Sequence, residues 1–114
     1  VVIAARLRRS ADIARTRTEG FAHGDRAFGV WSRANAVGSP RLAVSTQRGF
    51  GGAVARNRAR RRLREAVRVE LRDRAGLPAL DLVLVARPGL ARASAAALRA
   101  QVAREVDRLA RLPA

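Results

Sequence analysis

The chain has 114 residues and carries 24 basic side chains, all arginine, against nine acidic ones, for a net charge of +15 and a pI near 12. That length fits one small domain with one core, spanning residues 1–114, and the charge repels itself unless a nucleic acid or another anionic surface is the partner. The absence of cysteine excludes disulfides, thiolate zinc sites and cysteine nucleophiles, and the single histidine, His23, disfavours histidine triads and metal clusters.

No run approaches the roughly 18 to 20 apolar residues of a membrane span, and the N-terminus lacks the apolar core of a signal peptide. The expectation is a cytoplasmic protein with no membrane partner. The apolar share of 48% leans on alanine, with three phenylalanines, one tryptophan and no tyrosine, so the core is expected to be modest and built from Leu, Val and Ile. Arginine in place of all lysine, beside abundant Ala, Gly and Val, fits coding bias in a GC-rich genome and carries no functional reading.

In chain order, Arg6-Leu7-Arg8-Arg9-Ser10 leads into a short helix, with Ser10 as its cap, Asp12 in its first turn and Gly20 at its end. Phe21 to His23 suits a short edge strand, although His23, beside Gly24 and Asp25, also reads as a turn residue. Ala27 to Ser32 and Arg41 to Ser45 have strand composition. The turn-rich Asn35-Ala36-Val37-Gly38-Ser39-Pro40 between them predicts an antiparallel hairpin.

Gln47-Arg48-Gly49-Phe50-Gly51-Gly52 is a glycine-rich approach to the next helix. Such glycines let backbone N–H groups come close to a phosphate, but the Gly-Lys-Ser/Thr ending of a P-loop is absent. From Ala53 to Arg68 the chain is dominated by arginine and strong helix formers, with neither Pro nor Gly before Gly76. At about 100° per residue, Ala55, Ala59, Leu63, Ala66, Val67 and Leu71 fall on one side, while Asn57, Arg61, Arg64 and Arg68 line up on another. Like charges at these spacings repel, and Glu65 offsets only part of it through Arg61, Arg62 or Arg68. A polyanion neutralises such a helix; a solvated charge run is the alternative.

Gly76-Leu77-Pro78 breaks the helix, and Asp81 to Ala86 is a continuous apolar run, the pattern of a strand buried on both faces in mid-sheet. Arg87-Pro88-Gly89 ends it. A last helix begins near Ser94, with Leu98, Val102, Val106 and Leu109 on its inner face. The order is α-β-β-β-α-β-α, a two-layer α+β domain with a central four-stranded sheet.

Catalytic residues and a protein metal site are not expected. A metal-dependent nuclease needs carboxylates converging on ions about 4 Å apart. Here Asp12, Glu19, Asp25, Glu65, Glu70, Asp73, Asp81, Glu105 and Asp107 are the whole supply, most of them on predicted exposed helix faces. Glu105 and Asp107, two apart on a helix, point about 200° apart.

Taken together the motifs resemble the protein subunit of bacterial ribonuclease P. That family has an Arg-Asn-Arg signature in its basic helix, matched here by Arg56-Asn57-Arg58-Ala59-Arg60-Arg61-Arg62-Leu63-Arg64-Glu65 and preceded by Gly51-Gly52-Ala53-Val54. The Arg6 to Ile13 and Asp81 to Arg87 segments match at the expected separations, so the likeness covers nearly the whole chain. Ile13 stands where the family usually has Phe, Arg17 at a later aromatic position, and Arg48 followed by Gly49 where it has a basic pair.

The resemblance implies an αβββαβα fold shared with a ribosomal protein domain, with the Arg-rich helix as a left-handed crossover between parallel strands. It also implies a function: a partner ribonuclease P RNA, with its Mg²⁺ ions, removes the 5′ leader of precursor tRNA. The basic helix would hold that RNA through Arg56, Asn57, Arg58, Arg60, Arg61, Arg64 and Arg68. The single-stranded leader would lie in a cleft with Ile13, Phe28, Trp31, Arg48 and Arg87, where bases stack on rings and phosphates meet arginine. Mg²⁺ would sit mainly on the RNA and substrate, and no DNA partner is expected.

Blander readings stand beside these. Trp31 is equally a core residue, and Asn57 a cap or turn. A ribosomal protein or assembly factor of the same fold accounts for the basic composition, and a nuclease in its own right is a third reading, disfavoured by the scattered carboxylates. A DNA-binding zipper is excluded, because no heptads follow the basic helix.

Overall fold

The computed structural model describes residues 5–72 and 77–112. Its elements are β1 (Ala5–Arg6), α1 (Ser10–Glu19), β2 (Phe21–Gly24), β3 (Phe28–Ala34), β4 (Arg41–Thr46), α2 (Ala53–Arg72), β5 (Leu80–Ala86), a 3₁₀ turn (Pro88–Arg92) and α3 (Ala95–Ala110). Gly76, the predicted helix breaker, and Asp73 lie outside the described residues.

The α+β order holds, with one strand more than the four predicted. The two-residue β1 pairs parallel with β4, giving a five-stranded mixed sheet in the order β1-β4-β5-β3-β2. The hairpin predicted between β3 and β4 does not form. Instead β5 lies between them, antiparallel to β3 and parallel to β4. The physical reason is the composition of β5, whose seven residues are all buried: so apolar a strand needs both neighbours and both faces covered. Its insertion makes α2 the crossover between the parallel neighbours β4 and β5.

Alternation assigns the two faces of the sheet. Phe28, Val30, Leu42, Val44, Leu80, Leu82, Leu84 and Ala86 point to the side covered by α2 and α3. There they meet the α2 stripe Ala59, Leu63, Ala66, Val67 and Leu71 and the α3 stripe Leu98, Val102, Val106 and Leu109. Trp31, Ala43, Val83 and Val85 point to the opposite side, where Ile13 of α1 and Leu7 cover them. The α2 stripe agrees with its predicted spacing except at Ala55, in the first turn, which is exposed.

Local signals account for the helix ends. Ser94 caps α3, its hydroxyl accepting from the Ala97 N–H at 3.1 Å. Ser10, the predicted cap of α1, is its first helical residue instead; Arg9 occupies the cap position and makes no capping bond with its side chain. Gly49, before α2, has φ +79°, a conformation that only glycine adopts without strain.

A partly buried ion pair fixes the start of β4 and β5. Asp81, hidden under α1, accepts from Arg41 Nε at 2.7 Å and Nη2 at 2.8 Å and from Asn35 Nδ2 at 2.9 Å. The hydrogen bond to Asp81 raises the Arg41 pKa above its usual value. His23, read also as a turn residue, lies in β2 and bonds Glu105 of α3 through Nδ1 at 2.7 Å, with Arg108 on the same carboxylate.

Arg62 is the structural member of the arginine run. It donates to the carbonyls of Leu90 at 3.0 Å and Ala93 at 2.8 Å, tying the 3₁₀ turn to α2, rather than pairing with Glu65. Two charge-assisted bonds to half-buried carbonyls should make Arg62→Ala cost about 2 kcal/mol, a fall in Tm of roughly 10 °C in a domain of this size. Thermal melting of the free protein by circular dichroism checks this; an unchanged Tm would put Arg62 with the surface arginines.

Candidate nucleic-acid interface

Two cationic surfaces stand out. The first is the outer side of α2. With Ala59, Leu63, Ala66, Val67 and Leu71 buried, the 3.6-residue period forces Asn57, Arg61 and Arg68 to the exterior, and all three are exposed. Arg64 is half-buried beside them. Its pKa is lowered, first by burial and then by the like charges of Arg6, Arg68 and Arg60. Arg6, on β1, therefore extends the cationic track of α2 onto the sheet edge. The sequence reading missed it, although its signal was there: Leu7 is buried, and in extended chain its neighbours Arg6 and Arg8 must point the other way.

Within this track the remaining predicted residues differ in role. Arg60 donates to Asn57 Oδ1 one turn away on the exposed surface. Arg56 turns back to the Gly51 carbonyl at 2.6 Å. Arg58 is exposed and faces the 3₁₀ turn rather than the Arg64 side.

The second surface is the α1 side of the sheet. Trp31 is half-buried there, packed on Leu7, Val83 and Val85 with Ile13 beside it. The Arg17 guanidinium lies over its ring, 4.5 Å from the centroid. Gly29 makes room for this: a Cβ there would stand 2.8 Å from Trp31 Cζ3 and 2.8 Å from Arg87 Nη2. Arg87, at the exit of β5, reaches over this glycine and donates to the Asp25 carbonyl at 2.6 Å. Arg48 is exposed on the turn after β4, at the same end of the sheet, where Gln47 N–H bonds the Ala86 carbonyl.

Of the five predicted cleft residues, the structure brings Ile13, Trp31 and Arg87 onto this face, with Arg48 at its end. Phe28 does not belong. It is 2% exposed, in the core under α2 and α3. Strand parity is the reason: Phe28 and Trp31 are three residues apart on β3, so their side chains leave opposite faces. Arg17, absent from the predicted set, takes a place on this surface, and its position one turn after Ile13 on α1 was the signal for it.

Five of the described carboxylates are dispersed on other duties. Asp12 and Asp81 share Arg41, Glu19 pairs with Arg15, Glu105 holds His23 and Arg108, and Asp25 accepts from the N–H groups of Ala27 and Phe28. Among the described residues no three His, Asp or Glu side chains come together as a metal site would need.

Comparison with known proteins gives a consistent result. The family model for ribonuclease P matches residues 3–110. The ribonuclease P protein component of Syntrophobacter fumaroxidans is 39% identical over 84 residues, spanning 74% of this chain and 70% of that protein. The RNase P protein from Thermotoga maritima has a TM-score of 0.75 at 26% identity, covering 96% of this chain and 98% of that one. The RNase P protein of Staphylococcus aureus, at 23% identity and a TM-score of 0.75 over 96% of this chain and 97% of that one, shares the fold.

Proposed function

Because the chain belongs to the bacterial ribonuclease P protein family, we propose that it is the protein component of that endoribonuclease, binding the catalytic RNA subunit and the 5′ leader of precursor tRNA. The observation that carries this reading is the cluster of Arg6, Arg60, Arg64 and Arg68 on the outer side of α2, where partial burial first and then these like charges lower the Arg64 pKa. Folding holds these charges together at a cost, and RNA phosphates reverse its sign.

In this reading α2 docks on the RNA subunit, and the α1 face of the sheet receives the single-stranded leader. The Arg17 plane, backed by the Trp31 ring beneath it, offers a stacking surface, while Arg87 and Arg48 offer charge to phosphates. The RNA subunit supplies catalysis, and Mg²⁺ belongs to the RNA and the substrate, because the scattered carboxylates do not fit a protein-held ion. The reaction is endonucleolytic removal of the leader, in the cytoplasm, with no DNA or membrane partner.

The test is a pair of affinities. Arg87→Ala or Arg48→Ala should weaken binding of precursor tRNA to the reconstituted holoenzyme roughly 3- to 30-fold, what one charge-assisted contact is worth where solvent screens part of it, while leaving mature tRNA nearly unaffected. Equal loss for both ligands would remove these residues from the leader path.

A further inference from the structure

At the head of α2 lies a feature that neither cationic surface explains. A groove of about 680 Å³ opens between the first turns of α2 and the 3₁₀ turn, walled by Phe50, Val54, Ala55, Leu90 and Ala91 with Arg58 at its side. Val54 is 84% exposed, among the most exposed large apolar side chains described, and sits on the most basic helix of the molecule. The groove is held open by structure. Leu90 is anchored in the core, and Arg62 pins the backbone of the 3₁₀ turn at Leu90 and Ala93.

We propose that this groove receives one unstacked nucleobase of the RNA that α2 binds, with the flanking phosphate on Arg58; the inference rests on the reading of α2 as the RNA-binding helix. The charge of the walls selects the occupant. They include Arg58 and Arg62 and no carboxylate, so an apolar body with an anionic flank fits, as a nucleotide has. Position selects it too. Arg58 belongs to the same turn of α2 as Asn57 and Arg61, so a strand following the outer track passes the mouth of the groove. A second copy of the chain would bring another +15 against this end of the molecule, and an apolar peptide would leave the arginines unmatched. Phe50, half-buried in the groove, supplies a ring for stacking.

Two neutral variants at exposed positions test this without touching the core: Ala55→Phe, which fills the groove, and Val54→Ser, which strips its apolar wall. Binding of the cognate ribonuclease P RNA to the full chain, measured across a salt titration, should weaken roughly 5- to 50-fold with the logarithmic salt slope unchanged, since a base contact is lost and no phosphate contact. Chemical probing of the wild-type complex should find one unpaired base protected that becomes reactive again in Ala55→Phe. Wild-type affinity in both variants, while Arg61→Ala with Arg64→Ala still weakens binding, would overturn the groove and leave the helix reading standing. If neither pair of changes matters, the RNA-binding role of α2 falls and the groove with it. Loss of affinity with a flatter salt slope and no base whose reactivity differs between the wild type and Ala55→Phe would mean phosphate contact only. A free-protein dimer in sedimentation that Ala55→Phe disperses would assign the groove to a second copy, and either result contradicts the proposal.

Discussion

Changing Arg61 and Arg64 together to alanine should weaken binding of the ribonuclease P RNA roughly 10- to 1,000-fold at low salt, the loss of two partly solvent-screened contacts to phosphate. The same change should flatten the logarithmic salt dependence by about 1 to 2, since each phosphate contact contributes roughly 0.7 to 0.9 to the slope. The fold should survive. Neither side chain joins the apolar stripe, alanine is the better helix former, and removing Arg64 relieves the repulsion with Arg6, Arg60 and Arg68. Tm is therefore expected to stay level or rise while RNA affinity falls, a dissociation that a merely structural arginine such as Arg62 would not show. The control is Arg99→Ala with Arg104→Ala on α3, both exposed and carrying the same charge. Arg108 is a poorer control because it holds Glu105 at 3.1 Å, the carboxylate that also takes His23 of β2. If the two double variants lose affinity and salt slope equally, the protein is a diffuse polycation and α2 has no special role.

Periodicity made the helices legible and left the sheet order obscure. The α2 and α3 stripes could be read from the chain because helical neighbours are local, and the apolar run at Asp81 to Ala86 announced the central strand that spans Leu80–Ala86. Which strands flank it is a matter of contacts distant in sequence. Asn35 to Pro40 has the composition of a hairpin turn, yet its chain passes from β3 to β4 across the end of β5, and a one-strand gap leaves no trace in turn chemistry. The two residues of β1 are likewise too few to carry an alternating pattern.

The candidate site was legible where geometry follows from a single element. The α2 track needed only the 3.6-residue period. On β3, the two-residue period already separated Phe28 from Trp31, so placing both in one cleft contradicted a rule the sequence itself supplied. Two further features depended on the third dimension. That Arg62 is a brace while Arg61 and Arg64 face outward is decided by where the 3₁₀ turn docks. That Arg17 covers Trp31 depends on α1 crossing over β3, with Gly29 clearing the space below.

On the function proposed above, this chain assists an RNA catalyst and is not itself the nuclease. The most direct measurement is cleavage of precursor tRNA by the purified, RNA-free protein, by the cognate RNA subunit, and by the two together, across a Mg²⁺ titration. No three of the described carboxylates and histidines converge, so the protein alone should give no specific cleavage at any Mg²⁺ concentration. The RNA alone should cleave weakly, and only at high Mg²⁺, where bulk cations screen its phosphates. With the protein present, the arginines of α2 take over part of that screening, and cleavage should proceed well at low Mg²⁺. Specific leader removal by the RNA-free protein, abolished by replacing a single carboxylate, would contradict the account.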